Sequence, residues 1–124
     1  MSLLHNDVYD NGLNEVSGAN RILHVLTQEP ATLGDIATYT IGNKPDPTIS
    51  SPVDRIGGGR RVTISAFSDG DVTDTDIATA WAIEDNSSGT ERLLAVGLLS
   101  SGQSLNEGNL FTMTEFSIGI PAPA

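Results

Sequence analysis

The chain contains no cysteine, which removes disulfides, thiolate metal sites and cysteine nucleophiles at once. Basic side chains are scarce: six Lys and Arg stand against 16 Asp and Glu, for a net charge of −10. A field of that sign repels phosphate backbones and anionic bilayers, so neither nucleic acid nor a membrane is an expected partner. Aromatic residues make up only 5% of the chain, which argues against an extensive ring-stacking surface. Apolar runs such as Leu93 to Leu99 fall far short of the ~20 residues that span a bilayer. The N-terminal stretch Met1 to Gly12 lacks the basic region and sustained apolar segment of a secretory signal, so the chain is expected to be made and kept in the cytoplasm unless it is carried out as part of something larger.

What remains is a chain of 124 residues and 13.0 kDa, the length of one domain, able to bury roughly two-thirds of its unfolded surface. Its wealth of Gly, Ser, Thr, Asp and Asn favours short strands joined by turns. Leu3 to Val16 reads as one short helix or turn interrupted at Asn11 and Gly12. It is either a lid on its own domain or an arm that docks on a neighbour. Arg21 to Thr27 is apolar on both faces and reads as a central strand. Gly34 to Ile41 alternates and reads as a second strand, followed by a proline-rich loop from Gly42 to Gly59. Arg60 to Phe67 and Asp76 to Ile83 read as two strands of one long hairpin, closed by the acidic turn between them. Thr90 to Leu99 follows as another strand, with Gly97 a bulge or a point of close approach. A short strand is expected near Gln103 to Leu105, and one long strand from Leu110 to Ile120. The expected fold is all-β: an antiparallel β-sandwich or jelly-roll-like domain over residues 20–121, an N-terminal arm or short helix over 1–19, and a tail over 122–124. Val25, Ile64, Trp81, Leu94 and Phe116 are the expected core.

Candidate chemistry is thin. His24 has no second histidine in a recognisable motif, and a satisfied structural histidine is the simpler reading. Asp69, Asp71, Asp74 and Asp76 fall within eight residues, a candidate for a calcium loop because hard cations want several oxygen ligands from one segment. The EF-hand pattern fails, however, since its glycine and glutamate positions hold Asp74 and Ala80. Turn preference explains the same aspartates. Gly57-Gly58-Gly59-Arg60-Arg61 leads into a strand and lacks the Lys and Ser or Thr of a phosphate loop. Gly102-Gln103-Ser104-Leu105-Asn106 lacks the second glycine of a nucleophile elbow. No cofactor, metal or catalytic residue is therefore assigned.

Two longer blocks carry a resemblance. Ile41-Gly42-Asn43-Lys44 with Pro47-Thr48, then Pro52-Val53-Asp54-Arg55-Ile56-Gly57-Gly58-Gly59-Arg60-Arg61-Val62-Thr63, resemble a family of small tailed-phage and prophage proteins. Ser68-Asp69-Gly70, Ala78 to Ile83, Leu93-Leu94-Ala95 and Gly108-Asn109 through Phe116 to Pro121 extend the likeness over most of Leu23 to Pro121. Ala80 stands where many relatives carry a histidine before the tryptophan. The resemblance implies a virion accessory protein of tail-fibre-like or capsid-decoration type, without catalytic residues to carry over. The expectation is a non-enzymatic structural part that binds other virion proteins and forms homo-oligomers, located in the virion after synthesis in the host cytoplasm. A receptor- or carbohydrate-binding module of a fibre is the alternative. The residues expected at subunit contacts are Val8, Tyr9, Pro45, Pro47, Pro52, Arg55, Arg60 and Arg61.

Overall fold

The computed structural model describes the backbone of residues 6–122 and the side chains of residues 10–122. The chain runs α1 (Asn6–Val16), β1 (Arg21–Leu26), α2 (Leu33–Tyr39), β2 (Thr40–Pro45), β3 (Val53–Asp54), β4 (Arg60–Ile64), β5 (Phe67–Val72), β6 (Asp76–Asp85), β7 (Arg92–Leu105), β8 (Leu110–Met113) and β9 (Phe116–Ile120). Strands build a six-stranded sheet in the order β7-β6-β1-β2-β5-β8 and a three-stranded sheet in the order β3-β4-β9. All pairings are antiparallel. This is the expected all-β, sandwich-like architecture.

The expected central strand is central. β1 lies between β2 and β6, and its alternation sends Leu23 and Val25 into the main core. Leu26 goes to the opposite face, into a smaller cluster with Ile36 and Ala82. The main core fills the space between the two sheets. Ile83, Val72, Phe111 and Met113 from the large sheet meet Val62 and Ile64 of β4, with Phe116, Ile118 and Ile120 of β9 packed at the margin. α1 belongs to this same core: Leu13 and Val16 are 2% and 8% exposed. The described part of the N-terminal segment therefore lies on its own domain.

Two boundaries move, since Gly42–Pro45 of the expected loop belong to β2 and the strands expected over 90–105 form the single β7. Three further expectations change. The hairpin joining Arg60–Phe67 to Asp76–Ile83 does not form: β4 pairs with β3 and β9, whereas β6 pairs with β1 and β7. β5 intervenes and belongs to the large sheet. Ser68-Asp69-Gly70, which read as turn residues, lie in β5 because Gly70 leaves room for the Phe111 ring; a side chain there would collide with it. Second, Gly34 to Tyr39 is helical. Asp35 sits three residues after the N-cap Thr32 and its Oδ2 accepts the backbone N–H groups of Ala31 (3.0 Å) and Thr32 (3.2 Å), satisfying donors that a helix start leaves orphaned. Ile36 then anchors this two-turn helix on the back of the large sheet. Third, the long strand from Leu110 to Ile120 breaks at Thr114 and Glu115, with β8 pairing in one sheet and β9 in the other. Such a bend lets one chain segment turn the corner of a sandwich.

Within the expected core, Val25 and Ile64 are fully buried, while Trp81, Leu94 and Phe116 are half-buried against its edge.

Candidate functional site

Three places on the molecule bring together side chains with chemical potential. The first is the turn between β3 and β4. Val53 and Asp54 pair with Arg61 and Arg60, so the glycine-rich stretch closes a tight hairpin at one end of the small sheet. Gly57, Gly58 and Gly59 all have positive φ, at 90°, 105° and 92°, a region where a Cβ is strained. At Gly59 a side chain would also strike the Ile120 carbonyl. The turn is braced from inside. The Arg55 N–H donates to the Gly59 carbonyl (3.1 Å), the Gly58 N–H to the Arg55 carbonyl (3.0 Å), and Arg55 Nη1 to the Gly58 carbonyl (3.1 Å). Arg60 binds Asp10 of α1 through Nε at 2.9 Å, Asp54 through Nη1 at 2.8 Å, and the Pro52 carbonyl through Nη2 at 3.1 Å. Those partners, Asp10 foremost and then Asp54, raise the Arg60 pKa further above its ordinary value. Arg61 donates to the Asp54 carbonyl and to Ser117 Oγ. The arginines thus hold α1, β3 and β9 to the hairpin. At its tip Ile56 is 90% exposed.

The second place is the ion-pair cluster at the other end of β1 and β6. Asp85, 3% exposed, accepts from Ser87 Oγ (2.6 Å), Ser87 N–H (3.0 Å) and Arg92 Nη2 (2.8 Å), and pairs with Arg21 at 2.9 Å. Ser87 foremost, then Arg92 and Arg21, hold its carboxyl well below the usual carboxylate range despite its burial. Arg21 also donates to the Glu15 and Ala19 carbonyls at the end of α1. The cluster is fully hydrogen-bonded, which is what a buried charge requires.

His24 sits nearby on the outer face of β1. Its Nε2 is 2.7 Å from Glu84 Oε1 and its Nδ1 is 3.1 Å from Thr40 Oγ1. The Thr40 hydroxyl donates to the Gly42 carbonyl at 3.1 Å. The hydroxyl proton is therefore committed to the backbone, so the trio ties β1, β2 and β6 together instead of presenting an activated nucleophile.

The third place is a cavity of about 260 Å³ where the curled six-stranded sheet brings its edges β7 and β8 towards each other. Trp81 and Phe116 form its aromatic wall, with ring centroids 4.8 Å apart and planes at 48°. Leu98 and Met113 flank them, and Ser100, Gln103 and Thr114 supply polar groups. Trp81 keeps its pose because its cross-strand partner is Gly97. A Cβ there would lie 2.6 Å from the indole Cε2 and Cζ2. Sequence reading flagged Gly97 as a close-approach point but missed the cavity. Its walls come from β6, β7 and the β8–β9 corner, which no local pattern links.

Other expected site residues are scattered. Asp69 and Asp71 lie on β5, Asp74 in the following turn and Asp76 at the start of β6; Asp69 pairs with Lys44 at 3.0 Å. Among the described residues no group of three or more His, Asp or Glu is gathered to hold a metal ion, so the candidate calcium loop is not assembled. Pro47 is buried within the chain, whereas Pro45 is exposed and Pro52 and Arg55 are partly so. Val8 and Tyr9 lie outside the described side chains. Comparison with protein-family models, with curated proteins and with solved structures returned no match.

Proposed function

We propose that this chain is a non-enzymatic structural subunit of a tailed-phage virion, of decoration or fibre-base type, which works by attaching to neighbouring subunits. The particle assignment rests on the resemblance carried by Pro52 to Thr63. The observation that supports attachment is the shape those same residues take: a braced hairpin with Ile56 90% exposed at its tip. One exposed aliphatic side chain is ordinary on a monomer surface, but held out on a rigid support it has the form of a peg. Rigidity matters because an ordered tip loses little conformational entropy on docking. Burying Ile56 in a neighbour contributes about 1.5–3 kcal/mol per contact, roughly a 10- to 100-fold gain in affinity. Repetition around a symmetric particle turns such modest contacts into stable occupancy.

The test is Ile56→Asp. Because the side chain lies in solvent, the variant folds with wild-type stability, but its incorporation into purified particles falls by at least tenfold. Wild-type incorporation of Ile56→Asp would reject the peg.

A further inference from the structure

We propose that the β3–β4 hairpin docks on the acidic region around the β5–β6 turn of a second copy of this chain, so that copies join head to tail. This rests on the reading of the hairpin as an attachment device, and it names the surface that receives the hairpin.

The cations come first. Of the six Lys and Arg, Arg21, Lys44, Arg60 and Arg92 are already bound to carboxylates of their own chain. Arg55 and Arg61 remain, and among the described residues neither meets a carboxylate. They donate only to backbone carbonyls and to Ser117 Oγ, which leaves each guanidinium with N–H groups to spare. Both lie on one face of the small sheet. Arg61 stands opposite Val53 on one side and Gly119 on the other, and directly opposed residues share a face. The Arg55 stem crosses over Gly119, with its Cδ 3.0 Å from where a Cβ would be. Val62 and Ile118 point the other way, into the core. Asp54 is also on the other face, bound to Arg60. With Val53 exposed beside the arginines and Ile56 exposed at the tip, the hairpin presents a cationic surface with an aliphatic centre.

The same chain carries the counterpart. Asp71, Asp74 and Glu107 are exposed, and among the described residues no Lys or Arg pairs with them. The fold gathers them. Asp71 stands opposite Leu110 in the β5–β8 ladder, and the Glu107 N–H donates to Oγ1 of Thr75, next to Asp74, at 3.0 Å. Leu110 is exposed, as is Ile77 at the start of β6. The exposed large apolar side chains among the described residues therefore divide between the cationic hairpin (Val53 and Ile56) and the acidic region (Ile77 and Leu110), with Leu98 apart on β7. Opposite charge around matching apolar centres is the pattern of complementary surfaces. The two regions belong to different sheets, so one copy can use both at once. Contacts between unlike faces are heterologous, and they close into a ring or run on as a filament. A net charge of −10 drives whole copies apart at long range. At physiological salt, however, exposed charges more than about 8 Å apart are largely screened, while ions in contact are screened far less.

The test uses the purified full-length chain with no other virion protein present. Sedimentation velocity in about 0.15 M salt should show a mass that rises with concentration beyond that of a dimer, with a dissociation constant on the order of 10–100 µM. Ile56→Asp disables the hairpin face, and Asp71→Lys combined with Glu107→Lys disables the acidic face. All three side chains are exposed, so both variants fold. Each variant alone should associate at least ~10-fold more weakly than wild type. Mixed in equal amounts, the two variants retain one intact pair of faces and should form a one-to-one heterodimer that grows no further. A wild-type chain that stays monomeric at millimolar concentration, a dimer that does not grow, or variants that fail to associate when mixed would overturn the proposal. A chain monomeric in solution yet present at fixed copy number in virions would overturn it while leaving the structural-subunit reading intact.

Discussion

Replacing Gly97 by alanine is expected to destabilise the fold by driving a methyl group into the Trp81 ring. The Cβ would sit 2.6 Å from Cε2 and Cζ2 of Trp81 and 2.7 Å from Nε1. That is close to 1 Å short of the ~3.5 Å at which carbon atoms attract. Trp81 cannot yield freely, because Phe116 packs on it at a centroid distance of 4.8 Å. Overpacking of this kind costs about 1–3 kcal/mol, and loosening the aromatic pair adds about 0.5–1.5 kcal/mol. Alanine recovers about 0.5–1 kcal/mol through its lower chain entropy in a strand. The net loss is about 1–3 kcal/mol, a fall in melting temperature of roughly 4–12 °C for a domain of this size. Urea titration followed by Trp emission reads both consequences, since the same probe reports stability and the displaced indole. Gly89→Ala is the control: its φ is 80° but nothing lies within 4 Å of the new Cβ. It should cost about 1 kcal/mol from backbone strain and leave the folded-state emission unchanged. A Gly97→Ala protein with wild-type stability and emission would refute the packing argument.

Two further outcomes follow from the interior. Leu13→Ala removes three carbons from a side chain 2% exposed, so loss of transfer energy plus the cavity should destabilise the fold by about 3–4 kcal/mol; a loss below about 1 kcal/mol would mean that α1 is not docked in solution. Asp85 has a folded-state pKa below its ordinary 3.8, so its stabilising contribution is complete above that value and is lost as pH falls below it. Denaturation from pH 6 down to pH 2 should therefore show a shallower acid limb in Asp85→Asn than in wild type, and parallel limbs would contradict the assignment.

The parts of the fold legible in the sequence are those where burial alone decides. β1 reads as central because Leu23, Val25 and Leu26 leave neither face polar, and the structure buries all three. Val62 and Ile64 likewise announce a buried face. Pairing partners are another matter, since chain neighbours need not be sheet neighbours. Arg60–Phe67 and Asp76–Ile83 read as one hairpin because the acidic stretch with Ser68-Asp69-Gly70 matches turn chemistry, yet Gly70 is there for the Phe111 ring. α2 misled for a different reason: over seven residues, period 2 and period 3.6 are hard to separate. The usable signal was the Thr32–Asp35 spacing after Pro30, which marks a helix start. As for the site, the hairpin from Pro52 to Thr63 was visible as a motif, but the exposure of Ile56 depends on which strands brace it. The Trp81 cavity was beyond reach because it depends on the curl of the whole sheet.

The central claim, a structural subunit held on a particle by its own surface, is tested most directly by counting. Quantitative mass spectrometry of purified virions, from phage carrying either the wild-type chain or Ile56→Asp, should find the wild-type chain at a fixed copy number relative to the major capsid protein. The variant, though equally soluble and stable in the infected cell, should be depleted at least tenfold from the particles. Absence of the wild-type chain from the virion, or equal copy numbers for the two, would contradict the account.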